Sequence, residues 1–384
     1  MRSNRSRLLF FLVSLAALAS LRAVDSGSGK DPATKALSVF SEVFSLTRGN
    51  YVDPTDSKAL LEGAYDGMTD ALDPFSYYVP AGSMSAYRAQ QASGALSPGI
   101  VVARRGGFPY VVAALPGSPA QRAGVQPGDL IQSLDGKNLR TAPLWKIRSS
   151  LEGPEGTTVD VVLYRVVEEK KVSLDLRRER FASPPVETRW EKDLGIVKIP
   201  ALTPATADAL SRAIEEANRR SIDKLVLDVR GAIGGEIADV APAASLFVGR
   251  GPVAKLVTRK VELKPLDATG ERAWRGRTIV LIDDATGGPA EIFAAALKDR
   301  ADATTVGETT AGMAIVQRLV PTGSGGSLFM TVARYQSPSG ALLGGKGLSP
   351  DERVITFPGE SDGRDPILER GLEVARRVTA RQAA

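Results

Sequence analysis

The chain has 384 residues, room for two or three domains, and its 49 basic and 44 acidic side chains leave a formal charge of +5. Histidine and cysteine are both absent. That composition excludes a Ser-His-Asp triad, a cysteine nucleophile, a structural disulfide and any zinc site built on His or Cys ligands. No carboxylate spacing matches a calcium loop, so neither a metal nor a cofactor is expected.

Arg2, Arg5 and Arg7 precede an apolar run from Leu8 to Leu21, the layout of a signal peptide, with Ala17-Leu18-Ala19 as a cleavage site and Leu21-Arg22-Ala23 as a poorer one. The run is short of the roughly 20 residues that a spanning helix needs. Residues 1–23 therefore read as an export signal, and the expected location is the periplasm or another extracytoplasmic space; left uncleaved, the segment would be a membrane anchor. Cleavage after Ala19 removes three arginines and lowers the charge from +5 to +2, so the basic balance gives no support for a nucleic-acid partner.

Residues 24–34 are small, polar and charged and suit a linker. An N-terminal helical segment is expected over 35–94. Leu37, Phe40, Val43 and Phe44, then Leu60, Leu61, Ala64, Tyr65, Met68 and Leu72, recur at helical spacing on either side of Asn50-Tyr51-Val52-Asp53-Pro54. Leu72-Asp73-Pro74-Phe75-Ser76-Tyr77-Tyr78 then reads as a helix stop followed by an aromatic turn.

Residues 95–182 carry Gly117-Ser118-Pro119-Ala120, Ala123-Gly124-Val125, Pro127-Gly128-Asp129-Leu130-Ile131 and Leu134-Asp135-Gly136 in that order. In physical terms these are a capped short helix, a glycine turn, an alternating strand and a tight Asp-Gly turn. As a set they resemble a PDZ domain. The resemblance implies that Gly99 and Ile100 end a carboxylate-binding loop, and that the strand through Val101 and Val102 pairs with a peptide tail by strand addition. Trp145 and Arg148 lie on the expected groove helix, 143–151, where Trp145 serves either a ligand or the core.

From residue 183 to about 358 strand and helix alternate: Ile196–Ile199, a helix over 204–218, Leu225–Val229, Ile279–Ile282, and a helix over 289–299 that opens on Pro289. A C-terminal helix is expected within 359–384. Two segments of this region, Thr286-Gly287-Gly288-Pro289-Ala290-Glu291-Ile292 and Gly307-Glu308-Thr309-Thr310-Ala311-Gly312-Met313, resemble the active-site motifs of the C-terminal-processing (tail-specific) serine peptidases. That family carries a serine nucleophile at a helix N-terminus and a lysine base 25 residues later. Aligned on Glu291-Ile292 and Gly307-Glu308, the nucleophile position falls on Gly288 and the base position on Met313. The residue after the nucleophile, whose N–H serves the oxyanion hole in the family, is Pro289, which has none. No serine lies between Ser245 and Ser324 to replace the missing one.

The same resemblance extends over about residues 35–380. Leu72 to Tyr78 matches a family signature, with Phe75 where histidine is common. Asp228-Val229-Arg230-Gly231-Ala232-Ile233-Gly234-Gly235 matches a turn whose Gly234 and Gly235 would bring a second oxyanion N–H, and Gln317 matches the family's supporting glutamine. Glu152 stands where an arginine is understood to couple the PDZ domain to the catalytic core. The implied fold is α/β, a crotonase-like peptidase core with a PDZ domain and an N-terminal helical segment.

Three functions are compatible with this pattern. The first is a noncatalytic relative that binds protein C-terminal tails or unfolded envelope proteins through the PDZ domain. A second is an active serine-type endopeptidase using noncanonical residues, with Thr286, Thr309 or Thr310 as nucleophile and Lys298, Lys346 or the Asp283-Asp284 pair as base; none of these threonines has an evident base in the sequence, and the aspartates more readily cap a turn. The third is a structural paralogue that self-associates or partners an active paralogue.

Overall fold

The computed structural model describes residues 31–261, 265–355 and 364–377. The expected export signal, most of the linker and the ends of the C-terminal segment lie outside them. Contacts divide the chain after Tyr65. In the first unit, helix α1 (Pro32–Asn50) starts on Asp31, which accepts from the Ala33 N–H, and on Pro32 in its first turn. No residue of α1 is buried, and Leu37, Val39, Val43 and Leu46 are at least half exposed. Helix α2 (Ser57–Asp70) crosses the division. The helical segment expected over 35–94 is thus not one body. Its later part joins the second unit, because the aromatic turn becomes strand β1 (Tyr77–Val79) and pairs with strand β16 (Ser327–Gln336), where Tyr77 stacks on Phe329 with ring centroids 4.8 Å apart. Helix α3 (Met84–Ala92) follows.

Strands β2 (Ile100–Arg105), β3 (Phe108–Ala114), β4 (Leu130–Leu134), β5 (Lys137–Asn138), β6 (Thr158–Arg165) and β7 (Lys170–Arg177) form one antiparallel sheet in the order β2-β3-β4-β6-β7, with β5 beside β4. Helix α4 (Pro119–Arg122) is capped by Ser118, which accepts from the Gln121 N–H. Asp135 and Gly136 both take positive φ, as the Asp-Gly turn requires. Asp129 is buried and paired with Arg165 at 2.9 Å, which fixes the Pro-Gly-Asp-Leu turn to β6. Helix α5 (Leu144–Leu151) turns Leu144, Ile147 and Leu151 into this core. Its C-terminal carbonyls are closed by Arg178, which donates to Leu151 and Ser150.

The remaining strands build two sheets. Strands β8 (Glu187–Trp190), β9 (Gly195–Lys198), β10 (Lys224–Asp228), β13 (Arg277–Ile282), β14 (Thr304–Gly307) and β17 (Glu352–Arg353) lie in the order β17-β14-β13-β10-β9-β8, parallel except for β8. The unbroken apolar runs seen in the sequence are strands buried on both faces. Leu225, Leu227, Val280 and Ile282 meet helices α6 (Pro204–Arg219), α7 (Val240–Val248) and α8 (Pro289–Ala301), while Val226, Ile279 and Leu281 meet α9 (Pro366–Arg376). Strands β11 (Gly251–Thr258), β12 (Leu266–Ala268), β15 (Ile315–Pro321) and β16 (Ser327–Gln336) join β1 in a third, five-stranded sheet.

Arg230 clamps the first parallel-sheet turn to the C-terminal helix. It donates to both oxygens of the nearly buried Asp228, at 2.8 and 2.7 Å, and to both of Asp365, which caps α9. Removing the guanidinium strands Asp228 as a buried charge, so Arg230→Met is expected to lower stability by about 3–5 kcal/mol. Asp365→Ala, which removes a partly exposed partner, is expected to cost clearly less. Urea unfolding midpoints at pH 7.5 check the order.

Candidate functional site

Three loops leave the carboxyl ends of β10, β13 and β14 side by side, the crevice where open α/β sheets place their sites. The Gly287 N–H donates to the Ala232 carbonyl at 2.9 Å, and the Ala311 N–H to the Thr286 carbonyl at 2.9 Å. Residues 231–235, 285–288 and 310–313 are thereby laid in register. Gly288 closes the middle loop with φ 58° and ψ −115°, and Pro289 starts α8 behind it. This is the sharp strand-to-helix turn that exposes a nucleophile in hydrolase elbows, in a conformation that favours glycine. A Cβ added at Gly288 would have Met313 O as its near neighbour, at 3.8 Å. One at Gly287 would lie 3.6 Å from Met313 Cβ. Gly287 and Gly288 thus lie beside the backbone and Cβ of Met313.

Glu291 binds these parts together. Fully buried in the first turn of α8, it accepts from the Gly288 N–H on Oε2 at 2.9 Å, and on Oε1 from the Gly312 N–H at 2.6 Å and the Thr310 hydroxyl at 2.5 Å. Thr310 in turn accepts from the Leu348 N–H at 2.7 Å. Burial pushes the Glu291 carboxyl up to about 7, against the pull of these donors. Its role was missed in the sequence, although a Glu three residues after a helix cap is a capping-box signal.

Of the alternative reacting groups, Thr286, Thr310, Lys298 and Asp283 are held by other partners. Thr286 is fully buried, with its hydroxyl 2.9 Å from the Val229 carbonyl and 2.8 Å from Asp283 Oδ1, and it also accepts from the Asp283 N–H. Thr309 and Lys346 are exposed, while Lys298 reaches Asp351 at 2.7 Å. Asp283 accepts from the Gly231 N–H as well as Thr286, so it pins the turn. Burial raises its carboxyl, and burial followed by the charges of Asp283 and Glu308 raises Asp284 to about 6.

A cavity of about 250 Å³ opens between the PDZ sheet and this crevice. Ile100, Val101 and Val102 of the β2 edge line it, with Arg148, Leu151 and Glu152 from the groove helix and its end, and Phe75, Leu115, Met313 and Gln317 from the other side. The edge of β2 and Met313 therefore face one space. Gly99 admits no side chain, since with φ 88° an added Cβ would come within 2.2 Å of Ser118 Cβ. At Gly234 an added Cβ would approach Leu115 at 3.6 Å, whereas Gly235 is pressed on the Leu202 carbonyl. Farther along β2 the Arg104 N–H donates to the Pro74 carbonyl at 2.9 Å. Of the two groove-helix residues, Arg148 reaches the cavity, where it also lies over the Tyr77 and Phe329 rings at 5.7 and 5.8 Å. Trp145 does not line it; the indole packs on the PDZ core because its neighbours Leu144 and Ile147 turn that part of α5 inward.

A parallel α/β core with a nucleophile-type elbow, entered beside a PDZ groove, defines the class of PDZ-bearing serine-peptidase folds. Residues 193–354 match the model of peptidase family S41, residues 110–165 that of a PDZ domain, and residues 14–82 that of the activating protease CtpB N-terminal domain. The chain is 31% identical over 327 residues to a carboxy-terminal-processing protease of Bartonella bacilliformis, covering 83% of this chain and 74% of that protein. It is 28% identical over 325 residues to the carboxy-terminal processing protease CtpB of Bacillus subtilis, covering 82% and 67%. Among solved structures it is similar to a photosystem II D1 C-terminal processing protease, with TM-score 0.64, 25% identity and coverage of 88% and 96%. The chain belongs to the carboxy-terminal-processing protease family.

Glu291 makes the site sensitive to pH. A carboxyl whose folded value, about 7, exceeds its ordinary 4.5 holds its proton more tightly in the folded chain, so it favours folding below about pH 4.5 and loses that contribution as pH rises to 7. Wild type should exceed Glu291→Gln in unfolding free energy most at pH 5, and the gap should narrow by up to about 3 kcal/mol by pH 8. Chemical denaturation at both pH values measures it; a gap that widens with pH contradicts the assignment.

Proposed function

We propose that this chain is a noncatalytic member of its family that binds protein C-terminal tails through its PDZ groove, exported to the cell envelope. The observation that carries the reading is the meeting of Gly288 and Met313 across an intact elbow. A glycine supplies no attacking group, a thioether carries no proton at neutral pH, and Pro289 lacks the N–H that would serve the oxyanion. The open edge of β2 depends on none of these groups.

Purified wild type should neither cleave unfolded substrates with apolar C-termini nor react with a fluorophosphonate. Gly288→Ser with Met313→Lys should acquire slow labelling, and Pro289→Ala added to them should raise its rate by about 10²–10³-fold, the usual effect of one oxyanion donor. Turnover by the wild-type chain overturns the reading.

Tail binding has its own test. Calorimetry on the mature chain should show a free carboxylate peptide binding more tightly than its amide by about 1.5–3 kcal/mol, the scale of a charge-assisted hydrogen bond. Equal binding of both forms sinks it. Mass spectrometry of protein from its host should find an N-terminus near Ser20 or Val24.

Self-association is a second reading, favoured by the exposed apolar side chains of α1. Light scattering on the mature chain and on one truncated before Ser57 separates it from tail binding.

A further inference from the structure

Strand β3 meets β4 at a single pair, Tyr110 with Leu130. The Val111 N–H turns to the β4 side, where it donates to the Asp129 carbonyl at 2.8 Å. Pro109, two residues earlier, faces the same way and has no N–H to give, so the ladder stops there. Beyond Leu130 the free edge of β4 is taken by the returning β5 segment instead, with the Leu139 N–H on the Gln132 carbonyl at 3.0 Å. Between the Phe108–Pro109 and Asn138–Arg140 segments a cleft of about 480 Å³ is left open over Ile131 and Gln132. It shares no lining residue with the cavity at the β2 edge.

The charged side chains of the cleft are Arg140 and Lys171, and no carboxylate lines it. Among the described residues neither side chain has an ion-pair partner; the Arg140 guanidinium lies 5.7 Å from the Phe108 ring centroid. Phe108 itself is 46% exposed, so much of the ring remains for a ligand. A cationic ligand would be repelled here, and a wholly apolar one would shield two charges from water without pairing them. A carboxylate or phosphate head matches both cations, and an apolar body matches Phe108 and Leu130. We infer that the cleft between β3 and β5 binds an amphiphilic anion, its head drawn to Arg140 and Lys171 and its apolar body laid on Phe108 and Leu130. The inference is independent of the tail-binding reading, since none of these residues belongs to the groove.

Calorimetry on the mature chain tests it with decanoate, and with decanol as the uncharged control of the same length. Decanoate should bind about tenfold or more tightly than decanol. Arg140→Glu combined with Lys171→Glu should weaken decanoate about tenfold or more and leave the thermal midpoint unchanged, because both residues are exposed. Phe108→Ser should weaken it as well. Decanoate and decanol binding alike overturns the inference, and so does a decanoate Kd within about twofold of wild type in the double variant, which places the acid elsewhere, the β2 groove included. Sedimentation with vesicles separates the sources of the anion. Wild-type chain pelleted by phosphatidylglycerol but not phosphatidylcholine, and released in the double variant, assigns the anion to a membrane lipid; chain that stays in solution while it binds decanoate assigns it to a free acid. Failure to bind either decanoate or phosphatidylglycerol overturns the inference and leaves tail binding standing.

Discussion

Glu291 receives the Gly288 N–H on one oxygen and the Gly312 N–H and Thr310 hydroxyl on the other, so the start of α8, the loop after β14 and, through Thr310, the Leu348 segment all hang on a single carboxyl. Every one of these partners is a donor. An acceptor with two oxygens suits the position, whereas a glutamine would point its NH₂ at groups that also donate. A carboxylate in such a place would be costly if any partner were missing. None of the donors is a side chain at 288 or 313. The frame of the crevice and its reacting groups are therefore carried by different atoms, and the side chains at those two positions can change while the loops stay in register.

The surroundings of Met313 are apolar. Phe75 packs with Ala103, Val112 and Ala113 of the PDZ sheet and with Ile233 and Ala285 of the crevice, and Met313 and Leu115 pack against the same cluster. An amine at 313 would face this wall and bear a desolvation penalty. A methionine fills irregular space without one. Met313 thus adds dispersion contacts to the cluster that ties the PDZ sheet to the core. Arg148 adds to the same seam from α5, lying over the Tyr77 and Phe329 rings, contacts of about 0.5–2 kcal/mol each depending on exposure.

The sequence was readable where periodicity and turn chemistry act locally. Apolar runs located β9, β10 and β13 to within a residue or two, Pro289 located the start of α8, and Asp135-Gly136 located a hairpin. It was less readable where partners lie far apart along the chain. Tyr77 reads as part of a turn until β16, some 250 residues away, pairs with it. Trp145 could serve ligand or core equally on spacing alone, and the inward face of α5 decided for the core. The bulge that sets Gln317 leaves no mark in composition.

Glu152 brings an acidic group into the cavity wall. It is half-buried in the cavity wall, burial raises its carboxyl while Arg148 pulls it back, and Gln90 approaches it at 3.4 Å. Arg148 and Glu152 thus set opposite charges together on the cavity wall. Phe75, Leu115 and Met313 pack in one cluster with residues of the PDZ sheet and of the crevice, so these two regions share a continuous apolar contact beside that charged pair.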